Sequence, residues 1–332
     1  MHRIIGILLM VVFVLSACRS GEQKDESLQT SVKVLRYDRL QYEATVMNSV
    51  SALQKMNIDC PQATKLLIED VLGIGSVAEP DINDRLCAYY SDSLLVRLMD
   101  DVQEKFKDLS GIEADLTKGF RNLKREVPAI PVPRIYSQIS ALNQSVVVGD
   151  SLLGFSLDKY LGQDYPLYKR YYYPFQRRSM VPERIVPDCF TFYLLSLSPF
   201  PWEEGHRTLF DFMMYRGKIA WTVEHILQSD GSGRLTLGYT REELNWCRKY
   251  MDALWKEMAE EEHLASTDPM LIRSYTSGEQ TLTFNGEKMP PCIGIWLGMQ
   301  LVDKYMKNNQ RLTLKDLLGK DDFSDLMHTP KH

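Results

Sequence analysis

The sequence predicts an α+β fold, predominantly helical, in which a small antiparallel sheet separates two helical parts and the second part forms a C-terminal helical bundle. Three observations predict it. Apolar residues recur at helical spacing before residue 128 and after residue 181, as in Leu95, Leu98, Val102, Phe106 and Leu109. Between those stretches, Ile130 to Ser156 is β-branched and proline-marked, with a tight-turn signal at Gly149-Asp150. Helix starts and Gly or Pro stops bound the periodic segments.

The chain opens with Met1-His-Arg3, the apolar run Ile4 to Leu15, and Leu15-Ser16-Ala17-Cys18. A short basic region, an apolar run too short to span a bilayer, and small residues before a cysteine make residues 1–17 a signal peptide. Leu-Ser-Ala-Cys also matches a lipobox, so Cys18 is the expected lipidation site and first mature residue. Cleavage elsewhere, or a simple N-terminal anchor, is the alternative. Residues 18–30 carry almost nothing apolar and read as a flexible tether. Residues 31–330 then read as a single domain: a helical part at 31–128, the small sheet at 129–160 and a second helical part at 161–330.

Within the first part, periodicity predicts a helix from Tyr37 to Met56 and another from Pro61 to Gly73. A third starts behind Asp92 and ends by Gly111, and a fourth runs from Glu113 to Glu126. The sheet is expected from Ile130 to Ser140 and from Val146-Val-Val148 paired with Leu152 to Ser156, with Pro131 and Pro133 favouring an edge or the start of a strand. Helices follow at Pro182 to Leu197 and Arg207 to Leu227, the latter the central helix. Thr240-Arg-Glu-Glu243 is a capping box for a helix through His263, and Asp268-Pro269 caps a shorter one. Asn285-Gly286 signals a hairpin, and Ile293 to Lys307 with Leu314 to Leu318 close the chain.

Composition excludes some classes. Lys and Arg number 39 against 44 Asp and Glu, a formal net charge of −5, so no bulk basic field recruits nucleic acid. Beyond Cys18 the cysteines are Cys60, Cys87, Cys189, Cys247 and Cys292, an odd set without a Cys-x-x-Cys pair, which argues against a disulfide framework and a zinc knuckle.

Catalytic motifs are sparse. A zincin needs two histidines one helical turn apart with a glutamate between them, and the chain has no His-Glu-x-x-His. The inverted form comes nearest at Trp221-Thr-Val-Glu-His225 and Ala259-Glu-Glu-Glu-His263, where Trp221 and Ala259 replace the first ligand. A site built from His206, His225 and His263 is the remaining metal option. Asp100-Asp101, Glu203-Glu204 and Glu260-Glu-Glu262 offer carboxylate pairs, although a charged run is usually a solvated face. No nucleophile elbow or phosphate loop is present. Neither catalytic residues, nor a metal, nor a cofactor is expected.

The most unusual local composition is Tyr165, Tyr168, Tyr171, Tyr172, Tyr173 and Phe175 interleaved with Lys169, Arg170, Arg177 and Arg178. Aromatic faces beside cations can stack sugars or engage peptides. Tyr165, Tyr168, Arg170, Tyr172 and Arg177, together with Arg216 and Lys218 of the central helix, are therefore the candidate ligand- or partner-binding residues. The alternative is that the tyrosines roof the core with hydroxyls turned to water.

Several words of sequence carry a resemblance: Leu157-Asp-Lys-Tyr-Leu-Gly-Gln-Asp-Tyr-Pro-Leu-Tyr168, Ile185-Val-Pro-Asp188, Met214-Tyr-Arg-Gly-Lys218, Leu237-Gly-Tyr-Thr-Arg-Glu-Glu-Leu-Asn-Trp-Cys247, Ser266-Thr-Asp-Pro269 and Ile293-Gly-Ile-Trp-Leu-Gly298 ending in Lys304-Tyr305. In this order behind a lipobox they resemble the Bacteroidota gliding-motility-associated lipoprotein GldB family, over nearly the whole mature chain. The resemblance implies an envelope lipoprotein linked, in gliding members, to the motility and type IX secretion apparatus. It also implies a zincin-like arrangement without the metal ligands, in which Met214 to Lys218 corresponds to a ligand-supplying helix and Arg216 would oppose a cation. Expected partners are the membrane, through the N-terminal lipid, and envelope proteins. By likeness to lipoprotein sorting, the absence of Asp after Cys18 favours the outer membrane. Gln23-Lys-Asp-Glu26 is similar to acidic surface-export tags.

Overall fold

The computed structural model describes residues 30–202, 205–280 and 282–327. Cys18, the signal segment, the tether to Gln29, Glu203-Glu204, Thr281, His2, His328 and His332 lie outside the described residues. The predominantly helical α+β class holds, with one correction to its sheet. The four strands are β1 (Val34–Arg36), β2 (Arg134–Gln138), β3 (Val146–Gly149) and β4 (Leu152–Ser156), in the order β1-β2-β4-β3. Only the expected hairpin, Val146↔Phe155 through Gly149↔Leu152, is antiparallel. β1 and β4 both run parallel to β2, so the sheet is mixed.

The strand order follows from burial. All five residues of β4 are buried, whereas β3 is mostly half-buried. An unalternating run such as Leu-Leu-Gly-Phe belongs between two strands, which places β4 inside and β3 at the margin. Gly154 permits a close cross-strand fit, because a Cβ there would lie 2.4 Å from the ring of Tyr136, its partner across the ladder. β1 was not expected. Its outer side is covered by a helix: Val32 N donates to Thr117 Oγ1 at 2.9 Å and Val34 N to Glu113 Oε1 at 2.8 Å.

Helices α1 (Tyr37–Thr45) and α2 (Val50–Asp59) replace the single helix expected over Tyr37 to Met56. Asn48 takes a left-handed φ of 54°, and Ser49 caps α2 by accepting Ala52 N at 3.2 Å. α3 (Pro61–Lys65) continues as a π-helical stretch, Leu66–Leu72, stopped at Gly73 as expected. α4 (Ile82–Tyr90) was not identified individually; it buries Ile82, Leu86 and Tyr90, one turn apart. α5 (Ser93–Lys105) is capped by Asp92, and α6 (Ser110–Glu126) starts three residues earlier than expected.

Beyond the sheet lie α7 (Pro166–Tyr171), α8 (Pro174–Arg177), α9 (Ile185–Leu197) and α10 (Leu209–Ile226). They are followed by α11 (Arg234–Leu237), α12 (Arg241–Glu260), α13 (Pro269–Thr276), the hairpin β5 (Thr283–Phe284) and β6 (Glu287–Lys288), α14 (Ile293–Asn308), α15 (Leu314–Leu318) and α16 (Ser324–Met327). Thr208 and Asp211 cap α10 reciprocally, and Thr240 and Glu243 do the same for α12. α10 is apolar on most sides and packs on α6, α9, α13, α14 and α15. One contiguous core runs from Val32 to Phe323 around it. Among the described residues, no helix is long and apolar enough to cross a membrane.

Candidate functional site

The seven candidate residues fall into three places. Tyr165, Tyr168 and Tyr172 roof the core, but their hydroxyls turn inward to protein partners. Tyr165 Oη donates to Asp101 Oδ2 at 2.7 Å, and burial first, then Asp101, pushes its pKa upward. Tyr168 is fully buried; its hydroxyl donates to the Asp158 carbonyl and accepts Leu161 N at 2.9 Å. Tyr172 Oη donates to Leu142 O at 2.7 Å, and Lys159 Nζ lies 4.5 Å from its ring centre. Arg177 Nη1 donates to Gln163 O at 3.0 Å. What remains outside is Arg170 against Tyr171, with Tyr173 stacked on Phe175 at 5.8 Å.

Lys218 occupies a second place. It is wholly buried, and its Nζ donates to Leu318 O at 3.1 Å, Lys320 O at 2.7 Å and Asp321 Oδ1 at 3.3 Å. Burial lowers its pKa while Asp321 opposes that shift. Lys218 thus ties the C-terminal segment to the central helix. Two residues away on a helix of 3.6 residues per turn, Arg216 points to the other side.

There Arg216 lines a cavity of about 370 Å³ with Arg178, Arg184 and Cys292. Arg178 forms a forked ion pair with Glu243, Nη1 to Oε1 at 2.6 Å, and donates to Gly238 O at 2.7 Å. Arg184 Nη2 meets Asp188 Oδ1 at 2.6 Å, its Nη1 donates to Leu235 O at 2.7 Å, and Tyr160 Oη donates to Asp188 Oδ2 at 3.0 Å. Burial raises the Asp188 carboxyl, and Arg184 works against it. Arg216, half-buried, has neither an ion-pair nor a hydrogen-bond partner among the described residues. Phe175, Phe192, Ile219, Leu237 and Ile295 supply apolar wall. Cys292 takes φ 56° at the N-cap of α14, which has no side-chain cap. Burial raises its thiol pKa, and Arg216, Arg184 and Arg178 pull against that, so all three guanidiniums act on one sulfur.

Arg178, Arg184 and Cys292 were not among the sequence candidates. Arg178 stood in the basic segment, yet its partner Glu243 is 65 residues away. The histidines are dispersed: His206 sits 3.3 Å from Asp211, His225 2.9 Å from Glu126 and His263 3.0 Å from Tyr275. Among the described residues, no group of three His, Cys, Asp or Glu is placed to hold a metal ion.

Two of the sequence words meet directly beside this cavity. A Cβ at Gly217 would lie 2.4 Å from the Gly298 carbonyl carbon, and one at Gly298 would lie 2.0 Å from Met213 O. α10 and α14 therefore cross backbone on backbone, and that crossing sets the spacing between Arg216 on one helix and Cys292 at the start of the other. No curated protein and no solved structure matches the chain. The sequence model described as "Gliding motility protein GldB" matches residues 19–331, nearly the whole chain. The protein that folds this way belongs to the GldB family of gliding-motility lipoproteins.

Proposed function

We propose that this chain is a non-catalytic outer-membrane lipoprotein, anchored through Cys18, that acts by protein–protein interaction in an envelope assembly of the motility and secretion kind. The family and the lipobox support the anchoring, and Arg19 after Cys18 supports the outer membrane. In this reading the body has the outline of a peptidase and no ligands for a cation. The observation that carries it is how the buried ionisable groups are held. Asp38 meets Arg36 and Ser137; Asp158 accepts the Ser140 and Leu142 amides; Glu224 accepts Ser229 and Thr236; Lys218 donates to two carbonyls. Each is fixed by partners of the fold, as in a structural network, rather than poised toward a reacting atom. Cys292 faces the cavity, but its raised pKa is the reverse of an activated thiol.

The test is photocrosslinking in cells from exposed Tyr171, Trp202 and Met270, with fatty-acid labelling of wild type and Cys18→Ser. The expected result is one recurrent envelope protein captured by wild type, with label and membrane retention lost in Cys18→Ser. Unlabelled wild type, or stoichiometric zinc whose removal abolishes a peptidase activity, would overturn the proposal. A second reading, in which the Tyr-rich segment holds a peptide or glycan, rests on the exposed Tyr171 and Tyr173 and on the Tyr173–Phe175 stack. Capture unchanged in a Tyr171→Ala, Tyr173→Ala variant would remove it.

A further inference from the structure

We propose that the arginine-lined cavity binds the free C-terminal carboxylate of a partner polypeptide with an apolar last residue. This rests on the protein-binding reading and names the chemistry of the partner's end.

Charge comes first. Arg178 is matched by Glu243 and Arg184 by Asp188, which leaves Arg216 as the cation without an ion pair among the described residues. One uncompensated guanidinium in a half-buried site suits one carboxylate, which it can grip with two parallel hydrogen bonds. A phosphate dianion would leave a surplus negative charge between the two flanking carboxylates. The start of α14 adds to this field. The helix has 16 residues, Cys292 at its N-cap lines the cavity, and no side chain caps it.

Shape and direction come next. About 370 Å³ accommodates a terminal carboxylate and the side chain next to it, at the small end of ligand sites and far below a folded partner. Phe192, Ile219 and Ile295 offer that side chain an apolar wall. Ser145 also lines the cavity and immediately precedes β3, the outer strand of the sheet, against which α9 packs. The guanidinium of Arg216 attracts the carboxylate of a peptide's last residue and repels the ammonium of its first, which sets the direction of entry.

The test is calorimetric titration of the full-length lipidated chain in detergent with N-acetyl-Gly-Gly-Leu, its C-terminal amide, hexanoate and inorganic phosphate. The acid is expected to bind one-to-one and the amide at least about tenfold more weakly, because the amide cannot complete a charge-assisted pair. Arg216→Gln should weaken the acid by a similar factor without lowering the unfolding temperature, and Arg216→Lys should recover part of the loss. Equal binding of acid and amide, no binding of the acid, an unaffected Arg216→Gln, or phosphate or hexanoate binding as well as the peptide would each overturn the assignment. If the acid fails while cellular capture persists in Arg216→Gln, the partner binds through another face. If the acid binds but no partner is captured, the broader reading has failed and the cavity remains a peptide-end site.

Discussion

Gly298→Ala removes the condition under which α10 and α14 approach each other. The added Cβ would lie 2.0 Å from Met213 O and 2.6 Å from Met213 C. Both obstacles are backbone atoms of the partner helix, so no rotamer change relieves them, and the helices must separate by about 1.5 Å to restore van der Waals contact. Overpacking of this kind costs about 3 kcal/mol, the upper end of its usual range, while Ala returns about 1 kcal/mol of helix propensity over Gly. The net loss is about 2 kcal/mol. For a chain of this size that lowers the unfolding temperature by roughly 3 °C. Gly111→Ala is the control. It is the same substitution inside α6, where a Cβ meets nothing within 4 Å, so it should be neutral or slightly stabilising. Differential scanning calorimetry of both variants decides the matter. A Gly298→Ala protein as stable as Gly111→Ala would refute the backbone crossing, and with it the geometry assigned to the cavity.

Lys218→Met should destabilise the chain by about 2–4 kcal/mol and free the segment around Leu318 to Asp321, because two carbonyls lose their buried donor. Limited proteolysis should then cut near Leu318 first, and unchanged cleavage would count against the clamp. Glu243 supplies the pH dependence. Burial raises its carboxyl, but the Arg178 hydrogen bonds and charge and the Thr240 amide outweigh this and hold it below the ordinary 4.5. The unfolded chain therefore takes up that proton first, so the ion pair's contribution is complete above 4.5 and is lost as pH falls through the folded value. The stability gap between wild type and Glu243→Gln, measured by urea titration, should narrow as the solution is acidified below 4.5. A gap that widens toward acid would reverse the sign assigned here.

Much of the fold was legible because its signals are local. Thr240 and Glu243, Asp268 before Pro269, and the Asn285-Gly286 turn each announce an element within four residues. β1 was not legible: Val34-Leu-Arg36 is three residues long, and its parallel partner Ile135-Tyr-Ser137 comes a hundred residues later. The antiparallel expectation failed for the same reason, since a hairpin does not state which of its arms will lie inside. For the tyrosines, composition drew attention where spacing held the answer. Tyr165, Tyr168 and Tyr172 recur at steps of three and four, one helical face, which is the face that is buried, while Tyr171 and Tyr173 fall off it and are exposed.

Arg216 was visible as a misfit, a cation between apolar residues of the central helix, but its surroundings were not. Arg178 and Arg184 reach the cavity from the segments before α9, and their carboxylates come from α12 and from α9 itself. Met214 to Lys218 and Ile293 to Gly298, the words that supported the family resemblance, turn out to have a physical content of their own. Gly217 and Gly298 let two backbones touch, Lys218 fastens the C-terminal segment on one side, and Arg216 stands on the other without an ion-pair partner among the described residues. A chain that needed only a stable helix pair could place a leucine at 216, whereas a guanidinium there, with neither an ion-pair nor a hydrogen-bond partner among the described residues, leaves its donors to the cavity. The arrangement makes physical sense when something anionic completes it from outside.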